Sequence, residues 1–309
     1  MVIGHERVLE FLKKSIKKKR LAHAYLFTGP AHLGKKTVAW EFIRMLNGSE
    51  VDQVIHPDIL IIQPEIVERE EVKKELEIGI SQARQIQHQM SLYPYQASYK
   101  VVLIDQAEKM TREASNCLLK TLEEPAGQAI LILIATNSQS LLPTIVSRCQ
   151  LIRFLPVAED KLRKGMASLR GDKSALEQVV RLANGRPGLA LRYLEEPAFL
   201  KEQNEVISQL EKLLRADLNE RYVYVEGMVK DVPRARQILG YWLFWFRDLL
   251  LLDSGCSGLT IYSQTTRYQN SYSLPKLKNI IQSIKKTDRL LANSSINARL
   301  ALEVLMLEL

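Results

Sequence analysis

Only three cysteines occur in the 309 residues, Cys117, Cys149 and Cys256, and none stands at a CxxC or other metal-binding spacing. That usage argues against a disulfide-framed secreted domain and against a cysteine-bound metal, and it leads us to expect a reduced, cytoplasmic compartment. The five histidines, His5, His23, His32, His56 and His88, share no ligand spacing, so no metal centre is expected from them. No apolar run is long enough to span a bilayer. The stretch Tyr241 to Leu252 is interrupted by Arg247 and Asp248. The first residues, Met1-Val2-Ile3-Gly4-His5-Glu6, lack the apolar core of a secretory leader. Internal repeats and low-complexity tracts are absent, and no Ser-His-Asp or Cys-His set can be defended. With 46% hydrophobic and 25% charged residues, the composition is that of a folded protein of two or three domains.

The most informative lack is a single hydroxyl. After the apolar run Ala24-Tyr25-Leu26-Phe27 comes Gly29-Pro30-Ala31-His32-Leu33-Gly34-Lys35-Lys36-Thr37. The glycines and Lys35 match the phosphate-loop spacing G-x-x-x-x-G-K-[ST], but Lys36 occupies the place of the magnesium-ligating Ser or Thr. An ammonium has no lone pair for a metal, and Thr37 lies one residue late, about 100° further round a helix. A strand, a glycine loop and a helix N-terminus still form an anion site from Gly29, Gly34 and Lys35. Two readings stand: a vestigial loop that holds the helix against a sheet, or a degenerate ATP site. Asp105 closes the apolar strand Lys100–Asp105, where nucleotide-binding folds place a magnesium-associated carboxylate. Simple strand capping would also account for it.

Apolar runs separated by helical patterns organise the first half. Strands are expected at Ala24–Thr28, Ile59–Ile62, Lys100–Asp105, Ala129–Ala135 and Gln150–Phe154, and helices at 6–19, 35–47, 81–92 and 111–122. Strands apolar throughout argue for a parallel sheet covered on both faces. The alternately charged stretch 65–77 reads as a surface insertion. We expect short helices over 157–200, broken at Gly185-Arg186-Pro187-Gly188, and a helical region over 201–309. In the latter, Trp242 and Trp245 lie on a largely buried helix, and the Ser/Gly/Thr/Tyr-rich segment 253–273 reads as a loop. The net charge is +8, with a dense basic run, Lys13, Lys14, Lys17, Lys18, Lys19 and Arg20. Such a run is either a solvated helix face or a phosphate-contacting one.

The residues so assembled resemble the clamp-loader branch of the AAA+ proteins. The resemblance rests on Ile3-Gly4-His5, His23 to Pro30, His56-Pro57-Asp58, Lys100 to Asp105, Asn116 to Pro125, Ala135-Thr136-Asn137, Ser147-Arg148-Cys149 and Asn297 to Glu303. It is strong to about residue 155 and weak after 200. It implies a RecA-like α/β domain over 1–156, a helical lid over 157–200 and an all-α collar over 201–309. It also implies a component of the DNA polymerase III holoenzyme that loads a sliding clamp on primed DNA. The partners would be motor subunits of the gamma/tau kind and a clamp-opening delta subunit, with no membrane involved. ATPases of this branch carry a Glu after the strand aspartate, where this chain has Gln106, an amide that cannot take a proton from water. The motor's four-cysteine zinc module is missing between Gly48 and Asp105, and Arg186 is offset from the motor's second-sensor arginine. The chain therefore resembles a non-hydrolysing ring member that requires no cofactor, with ATP binding weak or vestigial at Gly29, Gly34, Lys35, Thr37 and Asp105. The Ser-Arg-Cys position implies that Arg148 acts as an arginine finger in trans. An active ATPase motor is the alternative, and a DNA-binding role for the basic helix a weaker one.

Overall fold

The computed structural model describes residues 2–48, 56–64, 66–69, 72–75, 77–124, 127–167, 173–293 and 296–309. Two compact units are formed, residues 1–191 and 192–309.

The first unit is built on a parallel sheet. Its elements follow in the order α1 (Glu6–Lys17), β1 (Ala24–Thr28), α2 (Lys35–Asn47), β2 (Ile59–Ile62), β3 (Ile66–Arg69), β4 (Val72–Glu75), α3 (Ile80–Ser91), β5 (Lys100–Ile104), α4 (Arg112–Glu123), β6 (Ala129–Ala135), α5 (Pro143–Val146), β7 (Gln150–Arg153), α6 (Glu159–Ala167), α7 (Lys173–Ala183) and α8 (Pro187–Glu195), the last of which runs past the end of the unit. Among the described residues, five strands pair in the order β2-β5-β6-β1-β7, every pair parallel. Residues of β1 alternate between two cores. Tyr25 and Phe27 pack with Leu12 of α1 and with Val38, Phe42 and Ile43 of α2. Ala24 and Leu26 pack with Ile86 of α3 and with Leu118 and Leu122 of α4. Burial on both faces is why β6 is apolar at every position and β1 and β5 at all but one. Each fully buried Leu, Ile or Phe contributes roughly 1.5–3 kcal/mol relative to exposure.

The charged stretch expected as a surface insertion takes the form of an antiparallel hairpin, with Ile66 opposite Glu75 and Arg69 opposite Val72. His56-Pro57-Asp58 precedes β2 and serves as an anchor. The Asp58 carboxylate, 1% exposed, accepts the N–H groups of Tyr95, Gln96 and Ala97 at 2.8, 2.7 and 2.9 Å. It also pairs with buried Lys100 at 3.2 Å. Burial by itself would raise this carboxyl, but the three backbone donors and Lys100 outweigh it and hold Asp58 well below the usual carboxylate range.

The second unit contains α9 (Pro197–Leu213), α10 (Leu218–Val229), α11 (Val232–Asp253), α12 (Leu274–Leu291) and α13 (Ala298–Glu308). Trp242, Trp245 and Phe246 of α11 are fully buried. The segment expected as a loop, 253–273, carries two 3₁₀ turns, Ser257–Leu259 and Ser263–Tyr268. It is tied down by Asp248, whose buried carboxylate accepts the N–H groups of Ile261 and Tyr262 at 2.6 and 2.7 Å. Arg221 closes the C-terminal ends of two helices, donating to the carbonyls of Leu213 at 3.0 Å and Met306 at 2.8 Å.

Replacing Asp58 by Asn strands the buried Lys100 charge, and an expected loss of about 3–5 kcal/mol follows from breaking a buried pair. The Asp58 contribution is complete above its unfolded pKa of about 3.8 and is lost as pH falls below that value, because its folded pKa is depressed. Urea titrations at stepped pH should therefore show wild-type stability falling steeply in acid. Asp58→Asn should be less stable at neutral pH and should have a flatter acid limb.

Candidate phosphate-binding site

The loop after β1 is braced from three sides. Gly29 adopts φ 146°, and a Cβ there would lie 2.5 Å from the Phe154 carbonyl oxygen just beyond β7. No other residue fits that approach without moving backbone. Leu33 at the far side of the loop is fully buried, and its carbonyl accepts a hydrogen bond from His5 Nε2 at 2.8 Å. A carbonyl only accepts, so that ring nitrogen carries the proton. Burial lowers the imidazole pKa, in keeping with a neutral ring. The Gly188 N–H, at the start of α8, donates to the His32 carbonyl at 2.8 Å.

A cavity of about 470 Å³ opens between this loop and the carboxyl ends of β5 and β6. Gly34, Lys35, Lys36 and Asp105 line it together, as their motif positions imply, along with Glu108 and Thr136. Thr37 is exposed on the first turn of α2 and is not part of the lining. Gly29 lies behind the lining and accepts a hydrogen bond from the Lys35 ammonium, which also donates to the Pro30 carbonyl at 2.7 Å. Lys35 is only 6% exposed. Burial lowers its pKa against the opposing pull of the Glu108 and Asp105 carboxylates.

Lys36 points at the carboxylate. Its Nζ lies 3.0 Å from Asp105 Oδ2 and 3.5 Å from Gln63 Oε1. The other Asp105 oxygen accepts the Gln106 N–H at 3.1 Å, while the Gln106 side chain is exposed. Magnesium, the metal such folds imply, needs oxygen ligands at about 2.0–2.1 Å in near-octahedral array. The donor set does not fit it: the hydroxyl position supplies an ammonium, and that ammonium already holds the one carboxylate available from β5. Among the described residues no cluster of three His, Cys, Asp or Glu could hold a metal ion.

Glu108 was not anticipated. It sits on the 3₁₀ turn Ala107–Lys109, and its Oε1 accepts from the Thr136 N–H at 3.1 Å and the Thr136 hydroxyl at 2.7 Å. Its Oε2 is buried without a hydrogen-bond partner. The only signal in the sequence is a second acid shortly past the apolar strand, which is unremarkable among 35 Asp and Glu residues. Thr136 closes β6 and is thus a neighbour of the phosphate loop through the β6–β1 pairing.

Arg148 belongs to a different surface. It follows α5 and is not among the residues lining the cavity. Its Nη2 contacts Glu123 Oε1 on α4 at 2.6 Å and its Nη1 donates to the Thr144 carbonyl at 3.1 Å, with about a third of the side chain exposed. The adjacent Cys149 thiol is pushed up to about 12 by burial, which keeps it protonated. Arg186 donates from Nε to the Ala183 carbonyl at 3.3 Å.

A five-stranded parallel sheet with helices on both faces, a phosphate loop after its fourth strand in spatial order and an all-α C-terminal region define a RecA-like domain of the AAA+ class. Residues 4–158, half of the chain, match the protein family described as DNA polymerase III, delta subunit. The chain belongs to that family, and with it to the delta-prime clamp-loader proteins. It is similar to DNA polymerase III subunit delta′ of Bacillus subtilis, 25% identical, with the match covering 98% of this chain and 95% of that protein. It is 32% identical to the delta′ subunit of Pseudomonas aeruginosa over 64% of this chain and 63% of the relative. A DNA polymerase III subunit tau of B. subtilis is 26% identical, but this chain spans only 49% of its length. Among solved structures, a DNA polymerase III gamma subunit-related protein of Thermotoga maritima shares the fold, with a TM-score of 0.51 at 20% identity and 97% coverage of both chains. Among the described residues no helix is long and apolar enough to cross a membrane.

Gly29→Ala should strain the loop at its base, because both φ and the Phe154 carbonyl oppose a Cβ. The expected cost is roughly 1–3 kcal/mol. Hydrogen exchange should show the loss of protection centred on β1 and β7, with α9–α13 unaffected. Unchanged protection at Phe154 would contradict this account of the loop.

Proposed function

We propose that this chain is a non-hydrolysing member of a clamp-loader ring that assembles with gamma/tau-type motor subunits and a clamp-opening delta subunit. In this reading it lends Arg148 to ATP held by a neighbouring motor. The observation that carries the reading is the Lys36–Asp105 ion pair, 3.0 Å long, at the place where a motor needs a hydroxyl and a free carboxylate. Gln106 adds to it, because no carboxylate follows Asp105 to polarise water. Membership of the delta-prime family and similarity to delta′ subunits of two bacteria support the ring role. Residues 157–200 would serve as the lid and 201–309 as the collar through which the ring assembles. The sliding clamp and primed DNA would be met through the complex.

Arg148 suits a role in trans for a structural reason. It is not among the residues that line this chain's own loop cavity, and Glu123 and the Thr144 carbonyl orient its guanidinium while leaving about a third of the side chain exposed. An arginine that meets a partner's γ-phosphate stabilises charge developing in the transition state, which is worth a factor on the order of 10³ or more where it is engaged.

Glu108 favours a second reading, an active motor, because it places a carboxylate inside the cavity that could replace the one missing at Gln106. Thr136 donates twice to Glu108 Oε1, where those bonds compete with any water it would activate, and Glu108 Oε2 is buried.

The two readings separate in one set of assays. The isolated chain with Mg²⁺ and ATP should release no phosphate above background, and sustained release that Glu108→Gln abolishes would establish the motor instead. In the ring reconstituted with motor and delta subunits, Arg148→Ala should depress clamp-stimulated ATP turnover at the adjacent site by about 10³. Assembly, followed by mass, should be intact. Turnover unchanged in an assembled ring would remove Arg148 from the mechanism.

A further inference from the structure

The disagreement between this cavity and a magnesium ion has a positive side. A metal at a phosphate loop bridges the strand carboxylate and the phosphate oxygens and offsets the negative charge of both. Lys36 already performs half of that task. Its ammonium is 3.0 Å from Asp105 Oδ2, it lines the same cavity as Lys35 and Gly34, and it is tethered to the first turn of α2. An ammonium has three donors. The contacts with Asp105 and with Gln63 Oε1, at 3.5 Å, account for two, which leaves a third for a phosphate oxygen.

The rest of the cavity is balanced around this arrangement. Two lysines, Lys35 and Lys36, face two carboxylates, Asp105 and Glu108. The loop and α2 N-terminus add partial positive charge. A polyphosphate that enters without a metal meets the Lys36 ammonium, the backbone donors and the Lys35 ammonium, two of whose three donors are held by the Gly29 and Pro30 carbonyls. A polyphosphate that brings a divalent ion must place that ion beside Asp105, against the Lys36 ammonium, where like charges repel.

We propose that Lys36 is a built-in cation that takes the place of the divalent ion, so that this loop binds the phosphate tail of a nucleoside triphosphate in its metal-free form. Magnesium is disfavoured at Asp105 because the ammonium on its Oδ2 repels a second cation brought to the same carboxylate. The inference deepens the reading of the loop as non-hydrolysing and is independent of Arg148. Lys36 is a substrate-orienting cation here, and no bond to phosphorus is made or broken.

Calorimetric titration of the full chain with ATP, once in excess Mg²⁺ and once in EDTA, tests this directly. Wild type should bind in EDTA, and Mg²⁺ should leave the affinity unchanged or weaken it. Lys36→Thr restores the hydroxyl at the loop position and frees Asp105. It should lose about tenfold or more in EDTA, as expected for a charge-assisted hydrogen bond, and gain affinity when Mg²⁺ is added. Lys36→Met removes the charge without supplying a hydroxyl and should bind poorly in both conditions. Tripolyphosphate, titrated in the same way, should follow the same pattern with or without a nucleoside, since the proposed contacts are to phosphate.

Three results would overturn the proposal: Mg²⁺ tightening wild-type binding, absence of wild-type binding in EDTA, or Lys36→Met binding as well as wild type in EDTA. The first two need no variant and so do not depend on the variants folding. Mg²⁺-tightened binding without phosphate release would remove this inference while leaving the ring role standing. Loss of the Arg148 effect in the ring would do the reverse.

Discussion

Pairing of β1 with β6 on one side and β7 on the other places the phosphate loop on which the rest of the site depends. Thr28 is opposite Ala135 of β6 and Arg153 of β7, so Gly29, Thr136 and Phe154 emerge side by side at one edge. β5 lies next to β6, which adds Asp105 to the same edge. In open α/β sheets this carboxyl edge is where ligands are held, because loops of several strands converge there over a rigid floor. The floor is rigid because both of its faces are closed by helices, α1 and α2 on one and α3 and α4 on the other. A substitution that shifted β1 by one residue would move Tyr25 and Phe27 into the wrong core and carry the loop away from Asp105.

Within that frame the charges are arranged to satisfy one another. Lys35 bonds to the carbonyls of its own loop, Lys36 pairs with Asp105, and Glu108 is held by Thr136. A working hydrolytic site leaves its groups oriented toward a reacting phosphate and a water. Here the carboxylate that would face a metal faces an ammonium of the same chain. Arg148 shows the opposite pattern: its partners fix the guanidinium while part of the side chain stays in solvent.

Periodicity and apolar runs made much of the first unit legible. Ala24–Thr28, Ile59–Ile62 and Ala129–Ala135 are strands with the expected ends, because each is apolar at all or all but one of its positions and bounded by polar or turn residues. Helix 35–47 likewise runs as its apolar spacing implies. The hairpin β3–β4 was not legible as strands, since its alternately charged sequence also suits an exposed loop. The segment 253–273 read as a loop because its order comes from side-chain contacts, chiefly the Asp248 carboxylate near the end of α11, with Asp253, Gln203 and Arg215 adding others. At the site, the motif named Gly34, Lys35, Lys36 and Asp105 but could not say that Lys36 touches Asp105. That contact joins residues far apart in sequence, through the adjacency of β1, β6 and β5 rather than any local pattern. Glu108 and the Glu123–Arg148 pair escaped for the same reason.

The energetics of the Lys36–Asp105 pair bear on why it matters. Lys36 is 43% exposed and Asp105 20%. An ion pair that open to water is screened and contributes about 0–1 kcal/mol, so the fold does not need it: the two cores hold α2 and β5 in place whichever residue occupies position 36. A contact worth little to stability can still decide chemistry, because it changes what the carboxylate can bind. Asp58–Lys100 is the contrasting case. Both groups are buried, three backbone N–H groups complete the carboxylate, and the loop 95–97 depends on it. One pair is structural and replaceable only at high cost. The other is dispensable to the fold, and its effect is confined to the cavity it lines.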